Sequence, residues 1–205
     1  MTRSPLERWF QKSPVSSGPP HDGAALWFED LSSRARFGCK GPGAERWLAA
    51  AGFRVPKEAN SAAIDARGVL TMRLATAEFL VEALNAQSGE VEATRQKLGS
   101  LSRPIDVYPV ERQDLVIGIR GPQMQTLLRQ ICSVDFAPLF ATNGDDSGPV
   151  VLTSMVGVAV VAWPRRTQSG PALTLWADPS FAHYFWTTLL EVGRDVGAVA
   201  IGTNI

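Results

Sequence analysis

RFGCKGPGAERWL, residues 36–48, and LVIGIRGPQMQTLL, residues 115–128, write the same pattern twice in one chain. Aligned on their Gly-Pro pairs, Gly38 falls on Gly118, Lys40 on Arg120, Gly41 on Gly121, Pro42 on Pro122 and Leu48 on Leu128. Each copy runs from an apolar strand-like stretch into Gly-Pro and then into apolar positions at helical period. These positions are Ala44, Trp47, Leu48 and Ala51 in one copy, and Met124, Leu127, Leu128 and Ile131 in the other. Glycine permits the tight strand-to-helix turn, and proline at a first helical position gives up an amide that a helix leaves unpaired. The reading is a strand, a turn and a helix, made twice.

The elements that follow extend the repeat. After the first copy, a strand is expected at Gly68 to Leu74 and a helix from Thr76 to about Asn85. After the second, apolar chain at 150–163 precedes a strand at Ala172 to Trp176 and a helix opening at Asp178-Pro179. Leu70, Thr71 and Met72 then align with Leu173, Thr174 and Leu175. Helices packed on an antiparallel or mixed sheet in two such halves make an α+β sandwich with internal pseudo-symmetry. The expected organisation is an N-terminal arm over 1–24 and one duplicated body over 25–205, with halves at about 30–95 and 105–200.

The composition fits a folded body of that size. Of 205 residues, 45% are apolar and 20% charged, with 20 basic against 20 acidic side chains. A balanced charge without runs gives no field to attract nucleic acid or an anionic membrane surface. The longest apolar run, VGVAVVAW at 156–163, is far short of the roughly 20 residues that span a bilayer. MTRSPLERWF lacks the apolar core of an export signal, so a cytoplasmic protein is expected. The arm is rich in Ser, Pro and Gly, yet Leu6, Trp9 and Phe10 recur in it at helical spacing. That face can dock on its own domain or on a partner.

Catalytic constellations are sparse. GCKGPG has the glycine density of a phosphate loop but neither dinucleotide nor P-loop spacing, and Pro42 removes an amide that an anion would use. Ser154, His183 and Asp178 are the only nearby nucleophile, base and acid, and TSMVG is no nucleophile elbow. Asp145 and Asp146 in NGDDSG read as an exposed turn. Cys39 and Cys132 read as reduced packing residues, and two histidines are too few for a convincing metal set. Trp163, Trp176 and Trp186 could stack on a flat ligand, but read more readily as core. No catalytic, metal-binding or cofactor-binding residue is assigned. Candidate partner-interface residues are Leu6, Trp9 and Phe10 of the arm, with Phe181, Tyr184 and Phe185 of the FAHYFW segment.

At RFGCKGPGAERWL, AEFLVEAL, YPVERQDLVIGIRGP, CSVDF, VVLTSMVGVAVVAWP and LWADPSFAHYFWTTLLEVG, the sequence resembles the gamma-subunit family of heterotetrameric sarcosine oxidases. That family includes the equivalent small subunit of N-methylglutamate dehydrogenases, and the resemblance covers about 30–200. It implies a ferredoxin-like α/β sandwich, internally duplicated and related to the folate-binding fold of aminomethyltransferases. It further implies alpha, beta and delta-type partner subunits that hold FAD, FMN, NAD and tetrahydrofolate, oxidise a secondary amine and pass its methyl carbon to folate. The gamma-type chain itself carries no cofactor and stabilises the assembly. The arm at 1–30 matches no family word, and the chain lacks the length of a complete aminomethyltransferase. The alternative from the same fold is a standalone tetrahydrofolate-binding or minimal aminomethyl-transfer protein.

Overall fold

The computed structural model describes residues 3–11, 24–84, 89–100, 104–142 and 146–201. In chain order they form α1 (Glu7–Phe10), β1 (Leu26–Asp30), β2 (Arg36–Lys40), α2 (Ala44–Ala50), β3 (Ser61–Ile64), β4 (Val69–Ala75), β5 (Glu78–Ala83), α3 (Gly89–Gly99), β6 (Tyr108–Val110), β7 (Leu115–Arg120), α4 (Met124–Ile131), α5 (Ala137–Thr142), β8 (Ser147–Pro149), β9 (Val151–Met155), β10 (Val158–Thr167), β11 (Gly170–Ala177), α6 (Ala182–Arg194) and β12 (Ala198–Ile201). The protein is mixed α+β with two six-stranded sheets. The chain divides into two compact units. The first comprises Arg34–Arg112 and Asp146–Val150, and the second the described parts of Thr2–Ser33, Gln113–Asp145 and Val151–Ile205.

In the first unit the strands run β6-β2-β5-β4-β3-β8, every pair antiparallel. Phe37, Cys39, Phe79 and Val81 of the sheet share one apolar cluster with Leu48 of α2 and with Val91 and Leu98 of α3. Two arginines fasten the loops. The Arg67 guanidinium donates to Asp65 Oδ2 and to the Gly52 carbonyl, pairs with Glu90, and lies 5.2 Å from the centre of the Phe53 ring. Arg73 donates to the carbonyls of Lys57 and Thr76 and pairs with Glu45 at 3.0 Å. Arg36 and Glu82, cross-strand partners, form an ion pair at 2.9 Å with neither side chain exposed.

In the second unit the order is β12-β1-β7-β11-β10-β9, with β1 and β12 parallel and the other pairs antiparallel. Leu115, Ile117 and Ile119 alternate onto one face of β7, where they join Met124, Leu127, Leu128 and Ile131 of α4 and Phe185, Trp186 and Leu189 of α6. The period of two on the strand and of 3.6 on the helices meet in one core. Asp178 accepts the Ser180 amide at 2.8 Å and caps a 3-10 turn, Pro179–Phe181, that leads into α6.

The two units repeat each other at the level of individual hydrogen bonds. Without β8 and β12, their sheets read β6-β2-β5-β4-β3 and β1-β7-β11-β10-β9. Gly41 and Gly121 have φ of 120° and 121°, a region open to glycine, and a Cβ on either would collide with the carbonyl oxygen of Asp106 or Ala25. Those same carbonyls accept the amides of Gly43 at 3.2 Å and Gln123 at 2.9 Å, at the openings of α2 and α4. Gly38 and Gly118 leave room for neighbours on the adjoining strand, Val110 in one unit and Glu29 in the other. The doubled sentence is therefore a doubled strand, turn and helix.

Several expectations need correction. The helix expected from Thr76 to about Asn85 is not formed over the described residues 76–84. Thr76-Ala77 is a turn, Glu78–Ala83 is strand β5, and the helix of this region is α3, beginning at Gly89. Both faces of that strand are buried from Phe79 to Ala83, so its apolar run shows no alternation by which to recognise a strand. The alignment of Leu70–Met72 with Leu173–Leu175 shifts accordingly. Leu80 of β5 sits opposite Gly38, as Thr174 of β11 sits opposite Gly118, so β5 corresponds to β11, and β4 to β10. The prolines precede their helices instead of opening them, for α2 and α4 begin at Ala44 and Met124 behind Gly43 and Gln123.

Of the arm expected over 1–24, residues 3–11 are packed on the second unit, and 12–23 lie outside the described residues. Leu6 is 1% exposed, and Trp9 and Phe10 meet Trp186 edge-on at 5.7 and 5.6 Å between ring centres. The Ser4 hydroxyl donates to buried Asp30, which also accepts the Ser32 amide at 2.9 Å. No helix among the described residues is long and apolar enough to cross a membrane.

Candidate functional site

Each helix that follows a Gly-Pro turn is short, and its opening amide is already taken. Asp106 and Ala25 place their carbonyls where an anion would have to bind, so the GCKGPG turn and its counterpart are structural turns. Lys40 and Arg120 sit at strand ends beside them.

Ser154, His183 and Asp178 are not brought into a relay. Ser154 faces solvent on β9, His183 is exposed on the first turn of α6, and Asp178 is occupied as the cap of the Pro179 turn. No hydrogen bond joins the three. Among the described residues no group of three or more His, Cys, Asp or Glu side chains is placed to hold a metal ion. Cys39 is fully buried, and burial pushes its thiol up to about 12, so it is no nucleophile at neutral pH. Cys132 is half-buried, 3.7 Å from the Thr153 hydroxyl.

The three tryptophans considered for stacking have no open face: Trp163, Trp176 and Trp186 are at most 2% exposed. The Arg165 guanidinium covers the Trp163 ring at 4.7 Å, and Trp9, Phe10 and Phe28 surround Trp186.

A cleft of about 670 Å³ opens in the first unit, lined by Arg54, Ile64, Asp65, Arg67, Gly68 and Asp146. Sequence reading missed it, because its residues look like an ordinary hairpin turn. Asp145 lies outside the described residues, while Asp146 stands at this rim and its carbonyl accepts the Ile64 amide at 2.7 Å. Partial burial raises the Asp65 carboxyl, but the Arg67 guanidinium and the amides of Val69 and Arg67 outweigh it and hold it below the usual carboxylate range. Arg54 donates to the Ile64 carbonyl at 3.1 Å. Arg54, Asp65 and Arg67 thus spend hydrogen bonds on the loops that line this cleft.

The six candidate interface residues separate into two groups. Leu6 and Phe185 are interior, and Trp9 and Phe10 are half-buried against Trp186, so these four serve the second unit's own packing. Their apolar period is real, and the helix α6 behind it supplies the partner surface. Phe181 and Tyr184 are different: they remain 47% and 52% exposed, one helical turn apart at the start of α6. The Tyr184 hydroxyl donates to the Val156 carbonyl at 2.9 Å, and the Thr187 hydroxyl bonds back to the His183 carbonyl at 2.8 Å. The Ser180 hydroxyl and amide hold the Asp178 carboxyl below the usual range. This end of α6 is thus a fixed aromatic surface whose hydroxyls are internally satisfied.

No protein-family model matches the sequence, and no curated protein matches it. Solved structures do. The fold is similar to a chain of the heterotetrameric sarcosine oxidase of Corynebacterium sp. U-96, determined with pyrrole 2-carboxylate. The TM-score is 0.68 at 21% identity, over 96% of this chain and 97% of that one. It is also similar to the glycine cleavage system aminomethyltransferase T of Bartonella henselae. There the TM-score is 0.67 at 14% identity, over 98% of this chain and 60% of that one. The chain therefore spans about 60% of the length of that aminomethyltransferase. At these identities the likeness establishes the fold.

Proposed function

We propose that this chain is a non-catalytic, gamma-type subunit of a multi-subunit flavin- and tetrahydrofolate-dependent oxidoreductase that demethylates an N-methyl amino acid, sarcosine or N-methylglutamate. The observation that carries the reading is the likeness to a chain of heterotetrameric sarcosine oxidase over 96% of this chain and 97% of that one. Together with the family words quoted above, that likeness suits a member of such an assembly. In this reading the two units are copies of one ferredoxin-like element. FAD, FMN, NAD and tetrahydrofolate belong to alpha, beta and delta-type partners in the cytoplasm.

A second reading draws on the likeness to the aminomethyltransferase over nearly the whole of this chain: a standalone tetrahydrofolate-binding or aminomethyl-transfer protein. Purification of the tagged chain from its own host separates the two. Co-elution of other polypeptides with a flavin absorbance spectrum is the expected result. A colourless chain that elutes alone overturns the subunit reading, and saturable binding of tetrahydrofolate to it then establishes the second.

A further inference from the structure

We propose that the second unit binds a small oxyanion, a carboxylate or phosphate group, between Arg120 and Arg165 on the face of its sheet turned away from α4 and α6. The place follows from the register. Leu115, Ile117 and Ile119 face the helices, so alternation turns Val116, Gly118 and Arg120 to the other side of β7. Trp27 of β1 and Ala172 of β11 sit opposite Arg120, and Arg165 of β10 sits opposite Ala172. Trp27, Arg120, Ala172 and Arg165 therefore form one row across neighbouring strands. The two arginines stand two strands apart, about 10 Å between Cα atoms at ordinary strand spacing, a span that two long side chains close around one anion. The site lies on the sheet face and not at the Gly121-Pro122 turn, whose opening amide Ala25 already takes.

The internal repeat shows what this row lacks. In the first unit Lys40 corresponds to Arg120, and Glu78 of β5 sits opposite it at the place that Ala172 holds in β11. Tyr108 of β6 stands there where Trp27 stands here. The second unit thus keeps the ring and the cation, and has a methyl group in place of the carboxylate. Arg120 is half-buried, and among the described residues no hydrogen bond or ion pair holds its guanidinium. A cation partly withdrawn from water without a partner is costly, and a bound anion offsets that cost. Arg165 is already positioned, its guanidinium 4.7 Å from the centre of the Trp163 ring. Stacking engages the flat face of that group, while its N–H donors lie in the plane, the geometry in which arginine takes a carboxylate or phosphate. Glu29 lies on the same face in the next row, opposite Gly118, and limits the site to a single anionic group.

The test is isothermal titration of the full chain, purified in whatever assembly it forms, with sodium phosphate and separately with sodium acetate. Each is compared with chloride at matched ionic strength, so that general screening cancels. The expected result is saturable binding of at least one of the two, and the tighter one identifies the group. Arg120→Met and Arg165→Met are each expected to weaken it about 10-fold, the loss of one charge-assisted contact. Lys40→Met, the matching change in the first unit, should leave it unaltered. Ala172→Glu installs the carboxylate of the first unit and is expected to abolish binding with both arginines in place. Circular dichroism melts confirm that each variant folds, and the separate arginine variants keep the test decisive if Ala172→Glu does not. Absence of saturable binding for both anions overturns the proposal. Binding that survives Arg120→Met undiminished overturns it, and so does an equal loss in Lys40→Met, the mark of a general charge effect. Neither result bears on the subunit reading, which the recovered partners decide.

Discussion

The Ser4 hydroxyl donates a hydrogen bond to the carboxylate of Asp30, a side chain with no exposed surface at the end of β1. Ser4 also accepts the Leu6 amide at 3.0 Å, so one serine joins the start of α1 to the end of β1 in the second unit's sheet. Ser4→Ala strips a buried carboxylate of one of its donors, a change that costs about 1–3 kcal/mol. Leu6→Ala empties a site that is 1% exposed and costs about 2–5 kcal/mol. Denaturant or thermal unfolding measures both, and deletion of residues 1–11 is expected to cost at least as much as the larger. Unchanged stability after that deletion would show that the segment is a mere appendage.

The paired glycines give a second prediction. Gly41→Ala and Gly121→Ala each force a side chain into φ near 120° and against a carbonyl oxygen. Each is expected to cost more than about 2 kcal/mol, strain and collision together. Gly157→Ala is the control: its φ is 82°, but nothing lies within 4 Å of the added carbon, so only the backbone cost of about 1 kcal/mol applies. Equal losses at all three positions would mean that the carbonyls of Asp106 and Ala25 do not set the turn.

Asp65 supplies a pH dependence. Its carboxyl is held below the ordinary range in the folded protein despite partial burial, chiefly by Arg67. A depressed folded value stabilises the fold above the unfolded carboxyl's titration, near about pH 3.9, and that stabilisation is lost as pH falls through the folded value. Asp65→Asn is therefore expected to lower stability at neutral pH and to flatten the acid limb of the stability profile. Arg67→Lys, which cannot reproduce the forked contact with Asp65 and the Gly52 carbonyl, should do so in part. Parallel profiles for wild type and Asp65→Asn down to about pH 2 would contradict this assignment.

The cysteines differ in reactivity. Cys39, buried with a thiol pushed up to about 12, should resist iodoacetamide in the native protein at pH 8 and react only on unfolding. Half-buried Cys132 should be modified first, as peptide mass mapping would show. Early labelling of Cys39 would mean that the core of the first unit opens readily.

Much of the architecture is legible in the chain because period and turn chemistry agree there. The β-branched run Val116, Ile117 and Ile119 that stops at Gly121-Pro122, the stripe from Met124 to Ile131 and the Asp178-Pro179 start each have one physical interpretation. Glu78–Ala83 does not, because burial on both faces removes the alternation that distinguishes a strand from a helix. Strand β1 alternates Leu26, Phe28 and Asp30 inward, but it follows a stretch rich in proline and glycine, and its partners β7 and β12 are remote in sequence. Phe181 and Tyr184 show in the sequence only as part of an aromatic cluster. That Phe185 and Trp186 point inward, and these two outward, required the helix phase. The cleft at Arg54 and Arg67 left no trace in the sequence beyond an ordinary turn, since loops distant along the chain assemble it.

Native mass spectrometry of this chain, produced together with its natural partners and released intact, tests the central claim most directly. The account predicts one assembly that contains this chain alongside distinct larger subunits and bound flavin, with no flavin on the chain when the assembly is dissociated. A chain found only as a free monomer, or one that carries flavin by itself and oxidises sarcosine or N-methylglutamate unaided, would contradict it.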